Sequence, residues 1–335
     1  MTARRALIVL LALMAAPVLS QEAKKPKIEP TDFKDPGPVA YRFKKGQTES
    51  YTTTADAKSV VGIQMGGQEM TITTKGTTRG RLTITPMDDA VPTKVELATD
   101  KLQAKQTVET PMATIEVVIE DKKVKATSGG QVVFDSETGA DNPMAAQFTQ
   151  STKILGKKVV ATVDANGVVG PKLEGDADVV KQMRDVVGRG LFPVVWKGQT
   201  SLKAGDTWEV ENELTTMQAM DLKSPVKFKS AFKVVGAVLL DGVPCIDIEV
   251  RNTAKASDLQ AAMTQGPVAA SMKVPSLSFQ TTGHAYYDPA RNRVVYAEMK
   301  GVVDVEAEGD VPGAGSMAMK IHVDSTSAIR YNEPW

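Results

Sequence analysis

Cysteine occurs once in this 335-residue chain, at Cys245. A chain with one cysteine has no internal disulfide and too few thiolates for a cysteine-based zinc site. Cys245 reads as a small, half-buried residue near a turn, with a reactive thiol or an intermolecular bridge as the sharper alternatives. Histidine occurs twice, at His284 and His322. Both fall on the polar faces of predicted strands. Simple hairpin pairing puts Tyr296 opposite His284 and Lys300 opposite His322, which separates the two rings by roughly 16 Å and denies them a shared metal. Aromatic residues make up 5% of the chain. That is thin for the ring platforms of carbohydrate-cleaving enzymes and for the girdles of an outer-membrane barrel. Neither charge dominates, with 40 basic and 40 acidic residues. The balance gives no reason to expect nucleic acid as a partner. Nucleophile elbows, phosphate-cradling loops and dinucleotide fingerprints are absent, so no cofactor is expected.

Long apolar runs are also missing, except at the start. Arg4 and Arg5 precede an apolar stretch from Ala6 to Val18, and Val18-Leu19-Ser20 offers a cleavage site before Gln21. Residues 1–20 read as a signal peptide cleaved after Ser20, which places the mature chain in the periplasm or outside the cell. Loss of Arg4 and Arg5 takes the 40 basic residues to 38 against 40 acidic ones. The mature chain is expected to have no transmembrane span, since no later segment reaches about 18 apolar residues.

Residues 21–38 are rich in Lys and Pro and read as a flexible leader, with structure starting near Val39. Beyond it, alternation of period two dominates. Met70, Ile72, Leu82 and Ile84 share one face of a segment whose other face is Thr, Lys and Arg. Three strands of a meander follow near the end, over 276–287, 293–305 and 317–331, with a turn at Asp288–Asn292. Helical spacing is rarer. Asp176–Gly188 is the best case, and Pro143–Leu155 and Ser257–Met263 are weaker ones. The hairpin at 69–105 resembles that at 226–256, which suggests duplication of one β-unit.

Several features taken in order resemble a family of exported bacterial β-rich proteins that form a domain of unknown function. They are Lys45-Gly46-Gln47, Gly67–Met70, Phe134-Asp135-Ser136, the turn at Val163–Val168 and Lys203–Trp208. The resemblance spans most of the mature chain and brings no activity or catalytic residue with it.

Two acidic groups could serve calcium: Glu174, Asp176 and Asp178, and Asp135, Glu137, Asp141 and Asn142. Neither has the spacing of a twelve-residue calcium loop, and helix-dipole stabilisation or a polar turn accounts for them. Methionine is the compositional oddity, with 15 residues. Met299, Met317, Met319 and Phe279 form the candidate apolar ligand surface, while Met217 and Met220 lie close together in sequence; copper binding and plain core packing compete with that reading. The expectation is thus a mainly β, antiparallel protein. It has an N-terminal half (39–170), a connecting helical segment (171–195) and a C-terminal half (196–335). The halves form two similar curved sheets or open half-barrels with one to three short helices. Its expected role is non-catalytic: binding an apolar small molecule such as a lipid, or an envelope protein. A structural module without a small ligand, or a hydrolase whose acids meet only in space, are the alternatives.

Overall fold

The computed structural model describes residues 25–138, 149–180, 182–183, 191–217, 220–265, 268–311, 315–333 and 335. The strands are β1 (Ile28–Thr31), β2 (Glu49–Met65), β3 (Gln68–Pro86), β4 (Thr93–Glu109), β5 (Thr114–Glu120), β6 (Lys123–Ser128), β7 (Gln131–Asp135), β8 (Lys158–Val163), β9 (Thr207–Met217), β10 (Met220–Leu240), β11 (Val243–Gln265), β12 (Val268–Asp288), β13 (Arg293–Val311) and β14 (Gly315–Tyr331). All belong to one antiparallel sheet, whose body runs β10-β11-β12-β13-β14-β2-β3-β4. β9 and β1 follow one another along the free side of β10. β8 and β5 do the same along β4. The sheet is not closed.

The mainly β, antiparallel expectation is therefore met, but the two halves are not two sheets. β14 pairs with β2 from Met317–Met65 to Tyr331–Tyr51 and fuses them. Alternation reveals a strand and its faces; it does not say which edge the strand will join. The leader is not wholly free either. Its residues Ile28–Thr31 pair with Ala237–Leu240, and Pro26 is buried.

The helix expected at 257–263 is strand β11. Against β12 the register is unbroken, Ser257–Ser276 and Leu259–Val274 enclosing Asp258 and Pro275, but against β10 the strand carries one extra residue between Thr253–Lys229 and Ala261–Leu222, and Asp258 within that stretch has a φ of 54°. This bulge shifts the alternation by one, so Ala256 and Leu259 stand three apart and imitate a helical step. Of the expected helix at 176–188, residues 177–180 and 182–183 are helical, and the remainder of its C-terminal part lies outside the described residues. Asp176 caps it, its Oδ1 accepting the N–H groups of Asp178 and Val179, as an N-cap aspartate does. Of 143–155, Gln150–Ile154 form a 3-10 turn, and 143–148 lie outside the described residues.

One face of the sheet curls around two apolar cores. The first joins Ile63, Ile72 and Val108 to Leu214, Phe228, Leu277, Phe279, Met317 and Met319. The second joins Tyr51, Leu97 and Val159 to Trp208, Ile248 and Tyr287, and it is filled by non-strand residues Val39, Tyr41, Phe192, Val194 and Trp196. These plugging segments are tied to both sides of the sheet. Trp196 N–H donates to the Asn166 carbonyl, and Tyr41 N–H to that of Ala165. The Trp208 indole N–H donates to the Val195 carbonyl at 2.7 Å.

Between the cores the inner face becomes small and polar. One cross-strand row reads Gln106, Gly76, Ala57, Ser325, Gly301, Thr281 and Asn252. A Cβ at Gly301 would stand 2.9 Å from both Ser325 Oγ and Thr281 Cγ2. Strands approach closely here because nothing large intervenes, and this row is the floor of a groove on the opposite face.

Candidate functional site

The groove crosses the outer, solvent-facing side of the sheet at this waist, with a volume of about 940 Å³. Strand register alone determines its lining. Side chains on one face of adjacent strands stack in rows across the sheet, because neighbouring positions i and j on paired strands point the same way. The first row is Thr107, Lys75, Lys58, Asp324, Val302 and Gln280. The second is Lys105, Thr77, Asp56, Thr326, Lys300 and Thr282. All twelve line the groove, and the backbone at Ala57, Gly76, Gly301 and Ser325 forms its base.

From β4 to β12 the rows cross five inter-strand spacings, or about 24 Å. Four lysines and two aspartates give the lining a net formal charge of +2. Lys58, Lys75 and Lys105 cluster on β2–β4, and Lys300 stands apart on β13. Threonine hydroxyls, Gln280 and the two carboxylates fill the space between them. Among the described residues no aromatic side chain lines the groove, and Val302 is its only large apolar one.

The sequence-level candidates fall elsewhere. Met317, Met319 and Phe279 are buried in the first core, whereas Met299 packs against the second. They do not make one surface. The side chains of Met217 and Met220 lie outside the described ones. Glu174 pairs with Lys172 at 3.9 Å, and Asp135 accepts the Glu137 N–H in a turn; Asp141 and Asn142 lie outside the described residues. Among the described residues no group of three His, Cys, Asp or Glu side chains is placed to hold a metal ion. Cys245 is buried, and burial, with the Asp288 charge adding to it, pushes its thiol up to about 12. Such a thiol is protonated at neutral pH and is no nucleophile.

The histidines are further apart than simple pairing suggests. His284 stands opposite Glu298 and His322 opposite Asp304, which puts them two strands and six residues apart, about 22 Å. His284 Nδ1 meets Asp247 at 2.7 Å. Burial nonetheless raises the Asp247 carboxyl above its ordinary value, against the His284 hydrogen bond.

His322 borders the groove, bonding Asp304 through Nδ1 at 2.7 Å and the groove residue Asp324 through Nε2 at 3.2 Å. The Asp304 hydrogen bond raises its pKa above 6.5; slight burial opposes this, and Asp324 adds to it. A raised folded-state value means that the stabilising charge is complete below the unfolded value and is lost as pH rises through the folded one. The groove margin also loses a positive charge over that window. We therefore expect the difference in melting temperature between wild type and His322→Gln to shrink as pH is raised from about 5 to about 9. A difference that grows with pH would contradict this.

Sequence reasoning missed the groove because its residues come from six strands. The available signal was the repeated Lys/Thr/Asp polar face opposite Gly or Ala at 56–58, 75–77 and 300–302, which becomes a site only when register aligns it.

No protein-family model matches the chain, and no curated protein matches it. Among solved structures, the chain aligns with DynF from the dynemicin biosynthesis pathway of Micromonospora chersina at 8% identity and a TM-score of 0.18, covering 92% of this chain and 91% of that one. It aligns with Pseudomonas aeruginosa OpdQ at 8% identity and a TM-score of 0.19, covering 84% and 98%. For Acinetobacter baumannii OccAB4 the identity is 6% and the TM-score 0.20, covering 85% and 99%. Likeness at this level carries no argument about function. Among the described residues no helix is long and apolar enough to cross a membrane.

Proposed function

We propose that this is a non-catalytic, exported binding protein whose site is the lysine-lined groove, and that its ligand is an acidic, hydroxyl-rich glycan. The observation that carries this reading is the pair of cross-strand rows that bring Lys58, Lys75, Lys105 and Lys300 into one groove with threonines and aspartates. Lysines pair with sugar acids; hydroxyls, Gln280 and the carboxylates of Asp56 and Asp324 hydrogen-bond sugar hydroxyls. Recognition by charge and hydroxyls needs no ring platform, which suits an aromatic-poor chain. A nucleic acid would want stacking surfaces that the groove lacks and would meet two aspartates at its centre. A lipid chain would want an apolar cavity, and the methionines instead fill the cores. Export rests on the basic and apolar start of the chain.

Asp56 and Asp324 are diagonal neighbours on adjacent strands, at about 7–8 Å, a spacing compatible with an inverting glycosidase pair. Both are exposed, and neither occupies the dry pocket that a glycosidase acid needs. Binding without turnover is thus the better reading.

An oligogalacturonate, a plain chain of sugar acids, is the probe. By calorimetry we expect it to bind wild type and to lose at least about tenfold in affinity, or about 1.4 kcal/mol, in a variant with all four lysines changed to Gln. Wild-type binding should weaken with added salt. Equal affinity in the two proteins would contradict the assignment, and release of reducing ends by the wild type would overturn the non-catalytic reading.

A further inference from the structure

The outer-face rows do not stop at the groove. The next two, moving along the strands, begin Gln103, Arg79, Thr54, Ala328 and Lys101, Arg81, Thr52, Arg330. They add four cations beside the groove's own lysine cluster, of which Arg330 also pairs with Asp241, and the segment that follows β14 reaches over them. Glu333 approaches Arg79 on β3 at 3.9 Å and Arg330 on β14 at 3.7 Å, so it spans β2 between them. Trp335 lies over the Arg79 guanidinium at 4.9 Å and the Lys101 ammonium at 5.4 Å. Thr52 and Thr54 accordingly are 2% and 8% exposed, although they face outward.

This cover fits its site poorly. Both carboxylate contacts are longer than a hydrogen bond. Glu333 Oε2, Arg81 Nε and Thr52 Oγ1 are all buried without a hydrogen-bond partner. An acidic group that could approach to about 2.8 Å would satisfy the Arg81 Nε donor, which Glu333 leaves without a partner.

We propose that Arg79, Arg81, Lys101 and Arg330 form a second anion subsite, continuous with the groove, which Glu333 and Trp335 occupy until a further acidic unit of the same glycan displaces them. This rests on the groove reading, since it takes the same ligand class. The cover is an internal competitor, and weakening it strengthens binding. The test uses the full chain carrying Glu333→Gln and Trp335→Ala, together and singly, titrated with oligogalacturonates of increasing length.

The expected result is affinity about tenfold higher in the double variant than in wild type, for long oligomers only, with a steeper dependence on salt. Adding Arg81→Gln should reverse the gain. In wild type, long oligomers should increase quenching of Trp335 fluorescence by acrylamide, against a background from the buried Trp196 and Trp208. Wild type and double variant binding long oligomers with the same affinity and salt dependence would overturn the subsite while leaving the groove in place. Binding by the double variant alone would support the subsite and count against an open groove. Binding by neither protein would overturn both.

Discussion

Glu49→Gln is expected to cost about 3–5 kcal/mol of stability, as does breaking any buried, hydrogen-bonded ion pair from one side. Glu49 opens β2 and Arg293 opens β13. β14 lies between them in the sheet but pairs with β2 no further than Tyr51, so the two side chains meet beyond that pairing. The contact is bidentate, with Arg293 Nε donating to Glu49 Oε2 at 2.7 Å and Nη2 to Oε1 at 2.6 Å. Both side chains are almost completely buried. Phe43 covers the guanidinium at 4.4 Å, and the Asn292 carbonyl accepts Nη1–H. Burial works against the Arg293 charge, and the Glu49 hydrogen bonds overcome it, holding the guanidinium pKa above its ordinary value.

Glutamine keeps the shape and removes the charge, so the arginine is left buried and uncompensated. Glu49→Leu combined with Arg293→Met should lose far less, because an apolar pair removes both desolvation costs at once. Urea denaturation of the three proteins decides this. A single variant within about 1 kcal/mol of wild type would mean that the pair is solvated.

Trp196→Ala is expected to cost about 3–5 kcal/mol, the usual range for emptying a large aromatic site. Trp196 stacks on Trp208 at a centroid distance of 5.5 Å and meets Tyr287 edge-on at 4.9 Å. It belongs to a segment with no strand pairing of its own, so these contacts, together with the Trp208–Val195 hydrogen bond, fasten the plug to β9 and β12. Its indole N–H is buried without a hydrogen-bond partner. Trp196→Phe should therefore lose markedly less than the alanine variant, since it gives up ring area but also removes an unsatisfied donor worth about 1–3 kcal/mol. Equal losses in the two variants, measured by urea denaturation, would contradict this account of the plug.

Much of the sheet was legible in the sequence. β14 and the C-terminal part of β12 alternate cleanly, so their faces could be read directly, but β12 begins at Val268 and β13 runs on to Val311, beyond the 276–287 and 293–305 that alternation marks. Pairing could not be read. That β14 joins β2 depends on contacts more than 250 positions apart, which no local pattern records. Bulges mislead in a particular way: Asp258 turned a strand into an apparent helix by moving Leu259 one place along. The plug was hidden for the opposite reason, since 191–202 has apolar residues but no period. The site was the least legible part. Lys58, Lys75, Lys105 and Lys300 each look like an ordinary solvated strand residue, and only the cross-strand rows make them neighbours. The methionines were visible as an excess, but an apolar residue in a strand is equally suited to a core or a ligand wall, and here Met317 and Met319 are core.

The most direct test of the groove assignment is a crystal structure of the chain from Gln21 onward with a bound oligogalacturonate. The account predicts sugar density running across β4 to β12 on the outer face, with carboxylates at Lys58, Lys75, Lys105 and Lys300 and hydroxyls at Asp56, Thr326 and Gln280. Density inside the curl of the sheet, or along the free edge of β9 with the groove empty, would contradict it.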